Sequence, residues 1–488
     1  MNTPFNNRFL AACEREPLHH SGAIQAHGTL ITVDSHGRIN HVAANLSEWL
    51  GMIPQVLLGT PLPEWLAHPL RDLPAKSGAR LTLEAAVQGR HGLLDLIASR
   101  DAHGGITVEL IGHQPVARKP PVAPLPRPPR DETGLAAARQ ALVQRIAELT
   151  GFQRVMYYQF IDEGDGEVIA EARLGDAYGS YLGLRFPASD IPAIARALYL
   201  SNPWRLIPDA TAEPVPLLGH GPTTPDLTWS DLRSVSPVHR LYLANMGVRA
   251  SLSFPIVVAG KLMALIACHH NDVRPLPLAV LEQAAQLTQG HALACTSYQA
   301  SRRIRLVDGL ESHFDAAWSI LQQHGDPLNA WPELGTWLMR EFQTDGATLC
   351  LGDFCTSTGT GFEPATLAFF DGWFCGRPSE FLWSTDSLTR EIPDFPLSGT
   401  AGVLALRAKL GEGRVLRVYL GRQEHIHEVA WGGNPEKPVE YHDGAIGIAP
   451  RHSFETWLEQ RLGYCRPWDS EARLLGLKLR ALLMREIH

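Results

Sequence analysis

The chain has 488 residues, with 43 Lys and Arg against 51 Asp and Glu, a formal net charge of −8 that leaves no basic footprint for nucleic-acid binding. Hydrophobic residues make up 45% and charged residues 19%, which describes a globular protein with material for several cores, about three domains at roughly 100–200 residues each. The N-terminus has no apolar h-region and the longest apolar stretch, 252–268, is broken by Gly260 and Lys261, so neither secretion nor a membrane span is expected. Seven thinly spread cysteines without a Cys-x-x-Cys predict no disulfide framework and no zinc site, and a reducing, cytoplasmic setting.

In chain order, residues 1–114 hold β-rich runs at 29–33 and 105–111, the first followed by the turn signal Asp34-Ser-His-Gly37, and predict a small α/β sensor-like domain. Seven prolines between Pro115 and Pro129 make a stiff linker, the clearest boundary in the sequence. A second block opens with an amphipathic helix at 134–149 and continues through strands at 154–160 and 166–172. It ends on strands at 250–258 and 261–268, joined by the hairpin turn Ala259-Gly260, which predicts an antiparallel sheet flanked by helices. From 278 to 321 the apolar residues recur three or four apart, a helix of about 66 Å if continuous, with Gly290 and Gly309 as places to bend; two consecutive helices are the alternative. A third block has strands at 347–351 and 414–420 and a turn-rich stretch from Trp431 to Phe454. It closes on an amphipathic helix from about Asp469 that reaches His488 without a stop signal, so its continuation is expected beyond the chain.

Several segments carry chemistry. In Phe186-Pro-Ala-Ser-Asp-Ile-Pro192 the two prolines keep Asp190 out of a helix and make the backbone stiff and irregular. Ser251 and Ser253, two apart, share a strand face, whereas the adjacent residues of Cys268-His-His270 point to opposite faces and lack further ligands at metal spacing. Cys13 precedes the first folded element; with an ordinary thiol pKa near ~8.5, it reacts only with an electrophile held against it. Taken singly, these features also fit a Pro-bounded turn, solvated arginines, satisfied histidines and a plain aromatic core.

Taken together, the motifs resemble the photosensory region of bacterial phytochromes over residues 13–466. The match is carried by Cys13-Glu-Arg-Glu-Pro17 with Ile24-Gln-Ala-His-Gly28, by the heptapeptide 186–192, by Pro203-Trp-Arg-Leu206 and by Asp231 through His239. It continues in Ala267-Cys-His-His270, Trp431-Gly-Gly-Asn-Pro435 and Pro450-Arg-His-Ser-Phe454. Ala26 stands where the family usually carries Pro. The resemblance implies an α+β fold of three tandem sensor domains with antiparallel sheets. These are PAS with the attachment segment at 1–114, a linker at 115–130, GAF at 131–305, and PHY at 306–488 with a tongue at about 422–466 and a C-terminal output helix. It also implies long connecting helices and an N-terminal figure-of-eight knot around Ile24.

The implied cofactor is biliverdin IXα, bound covalently through a thioether from Cys13. The resemblance gives Arg205, Arg233, Ser251 and Ser253 to its propionates, helped by Tyr199 and Ser236, and places His239 over the pyrrole nitrogens and His269 at the ring D carbonyl. Met156, Tyr158, Tyr181, Phe186 and Tyr242 would house ring D. Asp190, flanked by Ile191 and Pro192, would accept pyrrole hydrogens on its backbone carbonyl and turn its carboxylate outward to Arg451, with Ser453 alongside. The implied function is red/far-red switching by ring D isomerisation, with the tongue refolding and pulling on the long helices. Implied partners are a second copy through those helices, an output domain such as a histidine kinase, and a response regulator; kinase motifs are absent from the sequence, so no enzyme is expected in this chain. The rival reading is a GAF-type sensor of a small ligand without photochemistry.

Overall fold

The computed structural model describes residues 17–116, 126–161, 164–175, 179–219, 223–410, 414–435, 439–442, 445–448 and 456–485. Cys13, Arg451 and Ser453 lie outside the described residues. The chain forms two compact units, Met1–Tyr298 with Ala430–Trp457, and Gln299–Val429 with Leu458–His488.

The strands of the first unit are β1 (Ala23–Ile24), β2 (Gly28–Val33), β3 (Ile39–Ala43), β4 (Arg80–Gly89), β5 (Gly92–Arg100), β6 (Ile106–Gly112) and β7 (Arg154–Phe160). They continue as β8 (Gly166–Arg173), β9 (Arg185–Phe186), β10 (Arg205–Ile207), β11 (Val215–Gly219), β12 (Ala250–Val258) and β13 (Lys261–His270). One sheet runs β1-β11-β3-β2-β6-β5-β4, so a strand from the second block completes the sheet of the first. Its core holds Ile31, Val42, Leu66, Leu96 and Val108. The turn after β2 forms as its sequence predicts: Asp34 Oδ1 accepts from the amides of His36 and Arg38, both at 2.9 Å.

Ile24, fully buried, runs between two parts of the later chain. Ala23 pairs with Pro216 on one side; on the other, Ser234 N donates to Ala23 O at 3.1 Å and Gln25 N to Leu232 O at 2.7 Å. This placement is consistent with the expected threading around Ile24.

The second sheet runs β10-β12-β13-β7-β8-β9 and continues beyond β9 onto the strand that holds Trp431, which pairs in parallel with Arg185. The turn between β12 and β13 has positive φ at both central residues, 51° at Ala259 and 76° at Gly260, the conformation that lets a two-residue hairpin follow the strand twist. One face packs on helix α1 (Glu132–Thr150) and on the start of α2 (Leu278–His324) through Ile146, Tyr157, Phe254, Ile266 and Leu281. Helix α1 starts two residues before the predicted 134, because Asp131 caps it by accepting from Gly134 N at 2.7 Å. Helix α2 is a single element of 47 residues, so neither Gly290 nor Gly309 ends it.

The second unit has a five-stranded antiparallel sheet, β14 (Gly346–Leu351), β15 (Phe354–Gly359), β16 (Leu382–Thr385), β17 (Thr400–Lys409) and β18 (Val415–Gln423), in the order β15-β14-β18-β17-β16. Helices Pro327–Glu341 and Ser470–Arg485 share its main core, with Trp331, Leu338, Leu404, Val418 and Leu479 buried. The cysteines depart from expectation here. Cys350 and Cys355 face each other across β14 and β15 and form a disulfide, because the tight turn at Gly352 (φ 60°) brings a Cys-x4-Cys spacing into register. In the turn-rich stretch, Val439–His442 pairs with Ala445–Ile448. Among the described residues no helix is long and apolar enough to cross a membrane.

Candidate functional site

The second face of the β10–β9 sheet forms the floor of a cavity of about 220 Å³. Period-two alternation places its side chains in rows: Ile207, Ser251 and His269 are in register across β10, β12 and β13, and Arg205, Ser253, Ala267 and Met156 across β10, β12, β13 and β7. Leu265 and Tyr158 form the next row. The roof comes from irregular backbone. Pro187 and Pro192 bracket a 3₁₀ turn at Ala188–Asp190, and helix Pro237–Asn245 adds His239 and Tyr242.

All sixteen residues expected to contact a chromophore line this one cavity. Three aromatic rings gather together, Tyr158 and Phe186 at 6.0 Å between centroids and Tyr181 and Phe186 at 5.9 Å, while Tyr242 stacks on His239 at 6.1 Å elsewhere along the wall. Tyr158 occupies its place because Gly166 lies opposite; a Cβ at Gly166 would overlap the phenol ring.

The charged lining residues are two arginines and one aspartate. Arg205 Nη1 donates to Asp231 O at 2.9 Å, and Nη2 to Arg233 O at 2.5 Å and Ser234 O at 3.1 Å. Much of Arg205 is thus spent stapling a loop. Arg233 Nη1 donates to Leu227 O at 3.2 Å, and its Nε and Nη2 make no hydrogen bond to a described residue. Arg233 is buried and Arg205 partly so, and burial followed by repulsion from Arg205 lowers the Arg233 pKa to about 9. Two adjacent cations facing one cavity, Arg233 buried and with donors to spare, are matched by an anionic ligand group.

Asp190 is held from inside the cavity, since the Tyr242 hydroxyl donates to its Oδ2 at 3.0 Å. The expected outward carboxylate is thus also anchored by a roof residue. His239 and His269 are neutral: burial, then the charge of Arg205, lowers the His239 pKa to about 4, and burial, then Arg154 and His239, lowers that of His269 to about 3. His269 Nδ1 is buried without a hydrogen-bond partner among the described residues, an orphan that a ligand group in the cavity would satisfy.

A linear tetrapyrrole needs what this cavity has: cations for two propionates, hydroxyls at Ser251 and Ser253, neutral imidazoles for pyrrole and carbonyl groups, and flat apolar walls. The chain matches the family description "Phytochrome region" over residues 316–488, "GAF domain" over 135–295 and "PAS fold" over 13–110. It is 30% identical to a bacteriophytochrome of Xanthomonas campestris, covering 96% of this chain and 77% of that protein. It is similar along its whole length to the photosensory core module of a Stigmatella aurantiaca phytochrome, with TM-score 0.81, 31% identity and 97% of each chain covered. The chain belongs to the bacteriophytochromes. A bacteriophytochrome of Pseudomonas aeruginosa is 32% identical over 97% of this chain, which spans 66% of that relative's length. The PAS, GAF and PHY domains of a bacteriophytochrome account for the order of sheets and helices described above.

Motif reasoning missed part of this bacteriophytochrome's cavity lining. Leu265 and Ala267 follow from His269 by stepping back two residues at a time along β13, a signal present in the sequence. Trp204, Val235 and Met246 lie on turns and helix ends, where no periodicity marks them.

Proposed function

We propose that this chain is a red/far-red photosensory module that carries biliverdin IXα on Cys13, with boundaries at 1–114, 115–130, 131–305 and 306–488. The observation that supports it most is the pair of arginines, Arg205 and Arg233, lining a cavity whose one other charged lining residue is Asp190. The bilin, when bound, supplies the visible absorption and the isomerisable double bond. The protein's own work is to hold and to read. Arg233 Nε and Nη2, Ser251 and Ser253 receive the propionates; His239 and His269, kept neutral by burial, each offer one donor and one acceptor. Tyr158, Tyr181 and Phe186 bound the space in which one end of the ligand turns.

In this reading Asp190 reports the change. Tyr242 holds its carboxylate from the cavity side, and Arg451 with Ser453 takes it from the tongue, so a shift of Tyr242 alters both contacts. The long helix Leu278–His324 and the terminal helix Ser470–Arg485 then serve a homodimer and an output domain, a histidine kinase with its response regulator or an equivalent. The chain acts as a sensor in the cytoplasm, not as a catalyst.

The test is reconstitution with biliverdin, absorbance before and after red and far-red illumination, and a zinc-fluorescence gel on wild type and Cys13→Ser. A reversible spectral change, with covalent pigment lost in the variant, is expected. Pigment uptake without photoconversion would favour the small-ligand sensor, and no uptake would remove the bilin.

A further inference from the structure

A buried polar cluster built on Glu109, Arg80 and Asp231, none of which lines the cavity, lies behind its wall. Glu109, on β6 of the PAS sheet, is fully buried and accepts from Ser230 Oγ at 2.5 Å, Leu232 N at 2.7 Å and Asp231 N at 3.1 Å. Ser230 Oγ in turn accepts from Arg233 N at 3.0 Å. Arg80, on β4 of the same sheet, donates through Nη1 to Asp231 Oδ1 at 3.0 Å, pairs again through Nη2 with Oδ2, and lies 4.4 Å over the ring of Trp204. The loop gripped this way, 230–234, is the one whose carbonyls staple Arg205 and whose third residue after Ser230 is Arg233.

Thus the side-chain hydrogen bonds of Arg205 to Asp231, Arg233 and Ser234, and the backbone position of Arg233 itself, depend on a five-residue loop that Glu109 and Arg80 of the PAS sheet grip, while Arg233 Nη1 also reaches Leu227 O outside it. We infer that Glu109 and Arg80 are positioning residues for the anion-binding end of the cavity, setting where the Arg205 and Arg233 guanidinium groups meet the carboxylates of the ligand. The inference rests on the proposal that the ligand is a propionate-bearing bilin. The chemistry fits the residue types. Three donors converge on Glu109, and a carboxylate is acceptor-only, so it satisfies all of them; a carboxamide must turn its NH₂ toward one. Burial and the adjacent Asp231 both oppose the charge on Glu109, so a carboxylate at this position costs stability and is explained by what it holds.

The experiment compares equilibrium binding of biliverdin and of biliverdin dimethyl ester, whose propionates are masked, in a Cys13→Ser background that keeps binding reversible. The variants are Glu109→Gln and Arg80→Met. Each is expected to weaken biliverdin about tenfold while changing the dimethyl ester by less than about twofold, because only the free acid uses the displaced guanidinium groups. Backbone amide exchange at 231 and 232 in the unloaded protein is expected to quicken in Glu109→Gln, and Glu109→Asp is expected to recover part of the selectivity. Equal weakening of both ligands would reduce the cluster to general scaffolding and overturn the inference, as would unchanged biliverdin affinity in either folded variant. If Glu109→Gln does not fold, Arg80→Met decides by the same comparison. A Cys13→Ser protein that binds neither ligand would instead bring down the bilin reading itself.

Discussion

Gly432 lies against the Phe186 ring so closely that a Cβ placed on it would come within 2.5 Å of the ring edge. The neighbouring Trp431 pairs in parallel with Arg185, and Ala430 packs on the cluster of Tyr158, Leu184 and Phe186, so residues 430–432 extend the cavity sheet beyond β9. A larger residue at 432 must push either the ring or the segment away. Gly432→Val is therefore expected to weaken docking of this segment by about 1–3 kcal/mol. Limited proteolysis within 430–457 checks it: cleavage about tenfold faster than in wild type is expected, since cutting follows the population of the open form. Equal rates would mean that the segment is held by other contacts.

Arg154 predicts a different kind of effect. Its guanidinium lies 3.9 Å from the Tyr181 ring centroid, donates to Gly179 O at 3.1 Å and approaches buried Glu171 at 3.7 Å, while strand pairing puts Arg154 opposite His269. Arg154→Met removes the charge that helps keep His269 neutral, so the His269 pKa is expected to rise from about 3. It also removes one cation from Glu171; since Arg173 still reaches that carboxylate at 3.7 Å, the loss is expected at the lower end for a broken buried pair, about 3 kcal/mol. Arg154→Lys keeps the charge but loses the flat stacking on Tyr181, so it should restore the histidine titration and not the ring position. Histidine NMR on the unloaded protein separates the two.

The pH dependence of stability follows from groups whose pKa differs between folded and unfolded chains. Burial lowers His27, His239 and His291 to about 4 and His269 to about 3, from 6.5. The unfolded chain thus binds more protons between about 4 and 6.5, and the stabilisation present above 6.5 is lost as pH falls through that window. Glu109 runs the other way: raised from 4.5 to about 7 by burial and by Asp231, it takes a proton more readily when folded, and its contribution fades as pH rises toward 7. Four histidines outweigh one glutamate, so the urea midpoint of the first unit is expected to climb from pH 5 to about 6.5 and then level. His239→Gln should flatten the climb by one proton's worth, and Glu109→Gln should steepen it.

The chemistry of the cavity was readable because it sits in short motifs with fixed offsets: Asp190 between its prolines, Ser251 and Ser253 on one strand face, His269 at the end of a strand whose hairpin is announced by Ala259-Gly260. Strand identity was readable for a similar reason, since alternation in 250–258 and 261–268 is local. What the sequence hides is pairing across distance. Nothing near Arg205 says that its guanidinium closes on carbonyls 26 to 29 residues later, and nothing near Glu109 says that it meets amides more than 120 residues away. Such contacts come from sheet order, where β11 crosses to the PAS sheet, and not from propensity.

The disulfide between Cys350 and Cys355 closes a loop of sequence separation 5, and its effect can be sized from that loop alone. Restricting so short a loop in the unfolded chain contributes about 2 kcal/mol, less than a long-range bridge would. Cys350 is fully buried beside Phe370, Phe374 and Tyr419, and β14 also pairs with β18, so the strand has support that does not depend on sulfur. Reduction is therefore expected to lower the unfolding temperature of the second unit by a few degrees without unfolding it, and to leave bilin uptake by the first unit unchanged. Calorimetry with and without a phosphine reductant, repeated on Cys355→Ser, measures this. If reduction shifts the transition in wild type but also in Cys355→Ser, the effect comes from elsewhere than this bond; if wild type does not shift, the hairpin is held by its ladder and core contacts alone.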